Sequence, residues 1–157
     1  MITDDSKGQL HGGGKLLPGN AAVEHAKAAM QHVMKQFPEL TDHGLGLCSV
    51  AAGRRETEAE RAERYRCRQR ALLEPESLDQ FASCRKWLRQ WSKTEDLNKS
   101  GTSYGLKHVA AAEIGYLTNG SFIAAAIAEG FRIEAVGINA YLNIEDRAWR
   151  RDEGIYV

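Results

Sequence analysis

The chain has 157 residues, 43% of them hydrophobic and 27% charged, which fits a single globular domain with one core. Its 21 basic and 21 acidic residues leave no net charge, which argues against a dedicated nucleic-acid-binding protein, because such domains are usually basic. No apolar run reaches the roughly 18 residues that a membrane span needs. The first ten residues, MITDDSKGQL, contain no secretory signal. We therefore expect a cytoplasmic protein that does not contact membranes.

The cysteines and histidines predict neither disulfides nor a metal site. Cys48, Cys67 and Cys84 are odd in number and contain no C-x-x-C pair, a pattern typical of reduced thiols in the cytosol. His25 and His32 lie seven residues apart, whereas metal-binding pairs on a helix usually lie four apart. We expect no metal and no other cofactor.

The N-terminal half predicts a flexible arm and two helices. Residues 1–19, with the string HGGGKLLPG, favour the arm. Asn20 is the predicted N-cap of a helix with one apolar face. Residues 41–53 contain several glycines, which predict a connector between helices. A second helix is predicted over residues 55–73, with Pro75 ending it.

The C-terminal half predicts three more helices and a hairpin. Ser77 is the predicted N-cap of the third helix, and the string TEDLNKSGT after it predicts a turn. A fourth helix begins at Thr102 or Ser103. For the fifth, Thr118 is the N-cap and Gly130 the C-terminal glycine of a Schellman motif. Alternating residues then predict a short β-hairpin that ends near residue 144.

These elements predict a mainly helical α+β domain over residues 20–157, with a compact helical core and a short C-terminal hairpin. Residues 103–144 form a helix–helix–hairpin unit. This order permits a winged-helix arrangement, and it equally permits a helical core closed by the hairpin. The alanine-rich and methionine-rich helix faces are compatible with a homodimer as well as with a monomer core.

Two strings match esterase motifs, but their context argues against a hydrolase. GTSYG, at 101–105, matches G-x-S-x-G, and HGGG, at 11–14, matches an oxyanion-hole string. A nucleophile elbow requires a buried strand before the serine, whereas the residues before Ser103 are polar. The only later histidine, His108, follows too closely for that fold. Ser103, Lys107 and His108 form the only plausible catalytic cluster in the sequence. A solvated helix start is the simpler interpretation of these residues.

Three groups of residues are candidate binding sites. Lys107 and His108 could meet a phosphate or a carboxylate. Asn119 and Ser121 lie where a recognition helix contacts bases, but the rest of that helix is mostly alanine and lacks cations, so core packing is favoured. The third group is a basic patch on the second and third helices, although a salt-bridged solvated helix is the simpler interpretation. Its predicted members are Arg61, Arg64, Arg66, Arg68, Arg70, Arg85, Lys86 and Arg89.

The string SYGLKHVAAAEIGYLTNGSFIAAAIAEGF, followed by GINAYLNI, resembles small uncharacterised proteins of bacterial plasmids, phages and integrative elements. The resemblance covers about residues 84–144 and carries no catalytic residue. It implies an accessory protein of a bacterial mobile element, a class that includes regulators and inhibitors of host defence complexes.

Three functions follow as hypotheses. The first is a non-enzymatic accessory or inhibitory protein that binds a protein or nucleoprotein partner through its basic helical surface. The second is a winged-helix-like DNA-binding transcriptional regulator. The third is a small enzyme that uses Ser103, Lys107 and His108.

Overall fold

The computed structural model describes residues 19–150, so most of the predicted arm and residues 151–157 lie outside the described part. Within it the chain is a compact α+β domain, and this prediction is confirmed. None of the helices in this range is long and apolar enough to cross a bilayer. The elements are α1 Asn20–Gln36, β1 Leu40–Thr41, β2 Gly44–Leu45, α2 Glu58–Ala71, α3 Pro75–Leu88, β3 Lys93–Asn98, α4 Ser103–Ile114, α5 Asn119–Ala128, β4 Ile133–Val136, β5 Asn139–Ile144 and the 3-10 helix η1 Asp146–Trp149.

Helix α5 lies at the centre of the core. Every residue from Asn119 to Ala126 is buried, and α5 packs against α1, α3, α4, β1, β2 and β5. Its consecutive alanines allow neighbouring elements to approach closely, and α3 fills the space with large side chains. The Trp87 ring of α3 lies 6.4 Å from the Phe122 ring of α5. Helix α5 is therefore part of the structural core of the domain.

Both predicted ends of α5 are confirmed. The Thr118 hydroxyl accepts a hydrogen bond from the backbone N–H of Ser121 at 3.1 Å, as an N-cap does. At the other end, the Gly130 N–H donates to the Ile127 carbonyl and the Phe131 N–H to the Ala126 carbonyl, both at 3.0 Å. Gly130 has φ +83°, so the Schellman motif has its glycine in the left-handed region.

The predicted C-terminal hairpin is also present. Strands β4 and β5 pair antiparallel, with Ile133 opposite Leu142 and Val136 opposite Asn139. Gly137, in the turn between them, has φ +60°. The hairpin packs on α4 and α5 through β5.

The turn predicted after the third helix is wrong, because residues 93–98 form β3. This strand pairs antiparallel with β5 and gives a three-stranded sheet in the order β3-β5-β4. β3 is an edge strand whose first four side chains are exposed. An exposed edge strand needs no apolar alternation, so the polar sequence resembled a turn.

Two predicted helix starts are also wrong. Gly19, not Asn20, is the N-cap of α1, and its carbonyl accepts from the N–H groups of Ala22 and Val23. Pro75 does not end the second helix but occupies the first position of α3, where its missing N–H costs nothing. Ser77 therefore lies inside the first turn of α3. The helix itself ends at Leu88, earlier than predicted.

The connector predicted over residues 41–53 contains most of a small hairpin. Strands β1 and β2 pair with Leu40 opposite Leu45 and Thr41 opposite Gly44. The Leu45 N–H donates to the Ile138 carbonyl in the turn of the second hairpin at 2.8 Å. The N-terminal part of the chain is thereby joined to the C-terminal sheet.

Candidate binding surface

Helix α2 is a polar helix with no buried residue among its 14. Its charges follow the helix dipole, with Glu58 and Glu60 in the first turn and Arg68 and Arg70 in the last. The Thr57 hydroxyl caps its N-terminus by accepting from the Glu60 N–H. A helix without an apolar face depends on such local and polar interactions.

One face of α2, which we call the inner face, is held against residues 38–56 by polar contacts. The Arg64 guanidinium donates to both oxygens of the Glu56 carboxylate, at 2.7 and 3.0 Å. This hydrogen bonding holds the pKa of Glu56 below its usual value. Arg68 pairs with Asp42 at 3.1 Å. Further hydrogen bonds run from Arg64 to the Cys48 carbonyl, from Tyr65 to the Glu39 carbonyl, from Gln69 to the Pro38 carbonyl and from the Asp42 N–H to the Arg68 carbonyl.

The opposite, outer face of α2 carries Arg66 and Arg70, which we call the outer arginines. Both pair with Glu63, at 2.8 and 3.4 Å, and their side chains stay 58% and 65% exposed. One carboxylate between two guanidinium groups leaves an excess positive charge facing solvent. Arg61 is also exposed, and its charge contributes to the lowered pKa of Glu56. It therefore lies towards the inner face.

The predicted basic residues of α3 have a different role. Arg85 and Arg89 converge on Glu129, just after α5, at 2.6 and 2.9 Å. Burial would raise the pKa of Glu129, but hydrogen bonds from Arg89 and Arg85 lower it overall. Arg85 is largely buried and ties α3 to the end of α5. Arg89 and Lys86 remain exposed.

The Glu129 contact predicts a stability that depends on pH. Because the folded pKa of Glu129 is lowered, its contribution is present above the unfolded pKa and disappears as pH falls through the folded pKa. We expect Glu129→Gln to lower the free energy of unfolding by about 2 kcal/mol at pH 7, and by much less at pH 3. Urea unfolding of both proteins at the two pH values measures this. An equal loss at both would contradict the assignment.

Asn119 and Ser121 are not on the surface, which corrects the prediction that they belong to a binding site. Asn119 is 6% exposed and Ser121 is fully buried. The Asn119 amide NH2 contacts the carbonyls of His43 and Ile138, at 3.0 and 3.3 Å, and its oxygen accepts from the Ser103 hydroxyl at 3.0 Å. The Ser121 hydroxyl lies 2.8 Å from that of Thr118. Neither residue can reach a base in this arrangement.

The G-x-S-x-G match has a structural explanation. Ser103 is fully buried, donates to Asn119 and accepts from the Ala140 N–H at 3.0 Å, so its hydroxyl is already engaged. A Cβ on Gly101 would lie 2.5 Å from the Trp149 ring, and one on Gly105 would lie 3.1 Å from it. The two glycines therefore make room for an indole. HGGG lies outside the described residues.

Lys107 and His108 are adjacent residues in the second turn of α4, but they differ in exposure. Lys107 is 8% exposed, and burial lowers its pKa, whereas His108 is exposed. The structure thus separates the twelve predicted residues into an internal set and a surface set. The internal or inward-facing set is Arg61, Arg64, Arg68, Arg85, Lys107, Asn119 and Ser121.

Sequence reasoning missed the acidic partners of the arginines. Asp42 and Glu129 lie 26 and 40 or more residues from the arginines that they bind. No local pattern signals pairs at such separations. Within residues 19–150, no group of three or more His, Cys, Asp or Glu side chains is placed to hold a metal ion.

Comparison of the chain with protein-family models, with curated proteins and with solved structures finds no match.

Proposed function

We propose that the protein is a non-enzymatic binding protein whose outer arginines contact an acidic surface of a protein or nucleoprotein partner. The observation that supports this is the division of α2 into two faces. The inner face fixes the helix on the domain, while Arg66 and Arg70 remain exposed on the outer face. A guanidinium presents a rigid set of donors that matches both carboxylate and phosphate.

The resemblance to mobile-element proteins suggests the setting of this activity. In a bacterial cytoplasm, an accessory protein of this kind would act by occupying the acidic or nucleic-acid-facing surface of a host complex. In the order of elements, α5 occupies the place of a recognition helix. Because α5 is the buried centre of the core, the described part of the chain offers little surface for reading bases directly. The winged-helix regulator is therefore the weaker proposal.

The proposal predicts that reversing the charge of the outer arginines weakens binding. We expect Arg66→Glu with Arg70→Glu to weaken binding to an acidic probe at least about tenfold, because attraction becomes repulsion at the contact. Lys27→Glu with Lys35→Glu, on α1, makes the same change in net charge elsewhere and should have little effect. Fluorescence anisotropy with labelled duplex DNA, single-stranded DNA and polyglutamate, across a salt series, measures the affinities.

The three probes distinguish the partner class. Binding to either DNA with a steep salt dependence, lost in the α2 variant but kept in the α1 variant, supports a nucleoprotein partner. Binding to polyglutamate alone supports an acidic protein. Binding to none of the probes at low salt, or equal binding by both variants, would overturn the assignment of this surface.

A further inference from the structure

The imidazole of His43 holds the beginning of the segment that leads from β2 to α2. His43 lies in the turn between β1 and β2, and its Nδ1 accepts a hydrogen bond from the Cys48 backbone N–H at 3.0 Å. A ring nitrogen of histidine can accept a hydrogen bond only while it carries no proton, and both ring nitrogens are donors in the charged form. The contact with Cys48 therefore requires a neutral His43.

The backbone of His43 is fixed on the core of the domain. Its N–H donates to the Thr41 hydroxyl at 3.1 Å, and its carbonyl accepts from the Asn119 amide NH2 at 3.0 Å. Asn119 is buried at the start of α5. Because the main chain of His43 is held on both sides, a change in the charge of its ring acts on Cys48 rather than on the turn.

Cys48 also contacts the inner face of α2. Its carbonyl accepts a hydrogen bond from the Arg64 guanidinium at 2.9 Å. The same guanidinium binds the Glu56 carboxylate, which lies near the other end of the segment. Cys48 thus joins the hairpin turn to α2, through its N–H on one side and its carbonyl on the other.

The charges around His43 act in both directions. Burial has the largest effect and lowers the pKa of His43, the Asp42 carboxylate raises it, and Arg68 and Arg64 of α2 lower it, so that the overall change is a lowering. The bonded residue, Cys48, contributes a titratable thiol. Helix α5 and strand β5, which also pack on this hairpin, carry no charged side chain.

We propose that His43 is a pH-dependent switch, in which a proton on Nδ1 breaks the hydrogen bond from the Cys48 N–H and releases the segment over residues 46–56 from the hairpin turn. In the charged form two N–H donors face each other where a donor and an acceptor met before. Cys48 then moves away from the ring, and its carbonyl separates from Arg64, while the ion pair between Arg64 and Glu56 remains.

The direction of the effect follows from the lowered pKa of His43. The unfolded chain binds a proton more readily than the folded one, so the contribution of His43 to stability is complete above the ordinary histidine pKa of about 6.5. It disappears as pH falls through the folded pKa. The switch does not depend on the proposed function, because it concerns how α2 is held and not what its outer face binds.

Amide hydrogen exchange, measured by NMR on the full chain between pH 7.5 and 4.5, tests the switch. At each pH, protection is the ratio of the intrinsic to the observed exchange rate. We expect protection of the Cys48 amide to fall at least about fivefold, because loss of one hydrogen bond changes a local opening equilibrium by about this factor. The fall should coincide with the protonation of His43, followed by its imidazole proton signals. The Leu45 amide, which donates to the Ile138 carbonyl, should keep its protection.

A matched pair of variants makes the test specific. His43→Asn retains a side-chain acceptor and has no proton to gain in this range, so protection of the Cys48 amide should no longer depend on pH. His32→Asn makes the same change at an exposed position of α1 and should keep the wild-type response.

Three results would overturn the proposal. The first is constant protection of the Cys48 amide in the wild-type protein while His43 becomes protonated. The second is an equal loss at the Leu45 amide, which would mean that the whole hairpin opens. The third is an unchanged pH response in His43→Asn. The first two are measured on the wild-type protein, so they do not depend on the folding of a variant.

Discussion

Replacing Asn119 with alanine is expected to lower the free energy of unfolding by about 4 kcal/mol. The amide joins three separate segments, because it contacts the carbonyls of His43 and Ile138 and the side chains of Ser103 and Asn139. Alanine would leave several of these groups unsatisfied in a buried site, at about 1–3 kcal/mol for each. Urea unfolding followed by circular dichroism measures the loss.

Two further substitutions define the origin of the Asn119 effect. Asn119→Asp keeps the shape but replaces the donor with an acceptor facing two carbonyls, so we expect it to be at least as destabilising as alanine. Asn20→Ala, at an exposed position, should change the stability by less than about 0.5 kcal/mol. A loss below about 1 kcal/mol for Asn119→Ala would show that water replaces the amide.

The second large effect is expected at the adjacent residue, Gly120. A Cβ at this position would lie 1.8 Å from the Thr41 carbonyl oxygen and 2.7 Å from the Asp42 Cα. Both are backbone atoms, so no side-chain rotation relieves the overlap. Gly120→Ala must therefore separate α5 from the β1–β2 hairpin and weaken the hydrogen bond from the Gly120 N–H to the Asp42 carbonyl.

We expect Gly120→Ala to cost about 3 kcal/mol or more, at the upper end of overpacking effects. The matched control is Gly19→Ala. Gly19 has φ −54° and no atom within 4 Å of an added Cβ, so its replacement should cost no more than about 1 kcal/mol, from the lower preference for alanine at an N-cap. Both variants are compared by urea and thermal unfolding. Equal midpoints for the two would mean that the hairpin does not contact α5 this closely in solution.

The elements that were predicted correctly carry local signals. The N-cap and the Schellman glycine of α5 lie within the helix's own sequence, and the C-terminal hairpin is visible in its alternating residues. β3 was not predicted, because an exposed edge strand requires no alternation of apolar and polar residues. The start of α3 was misplaced because a proline that cannot continue one helix can begin the next.

The candidate site was predicted only in part, since its partners are distant in sequence. The arginine-rich character of α2 is plain from the sequence, but which arginines face inward depends on Asp42 and Glu56. Asn119 resembled a surface residue because an asparagine at a helix start is usually solvated. Its burial follows from two hairpins that meet at this point, and neither hairpin is adjacent to it in the chain.

The absence of buried residues in α2 has a consequence for how this protein can diversify. Substitutions on an exposed helix face usually change stability by no more than about 0.5 kcal/mol. Arg66 and Arg70 can therefore be exchanged for other residues while α5 and its surroundings stay unchanged. If the outer arginines bind the partner as proposed, recognition and folding are carried by different parts of the chain, and partner preference can evolve with little constraint from the requirement to fold.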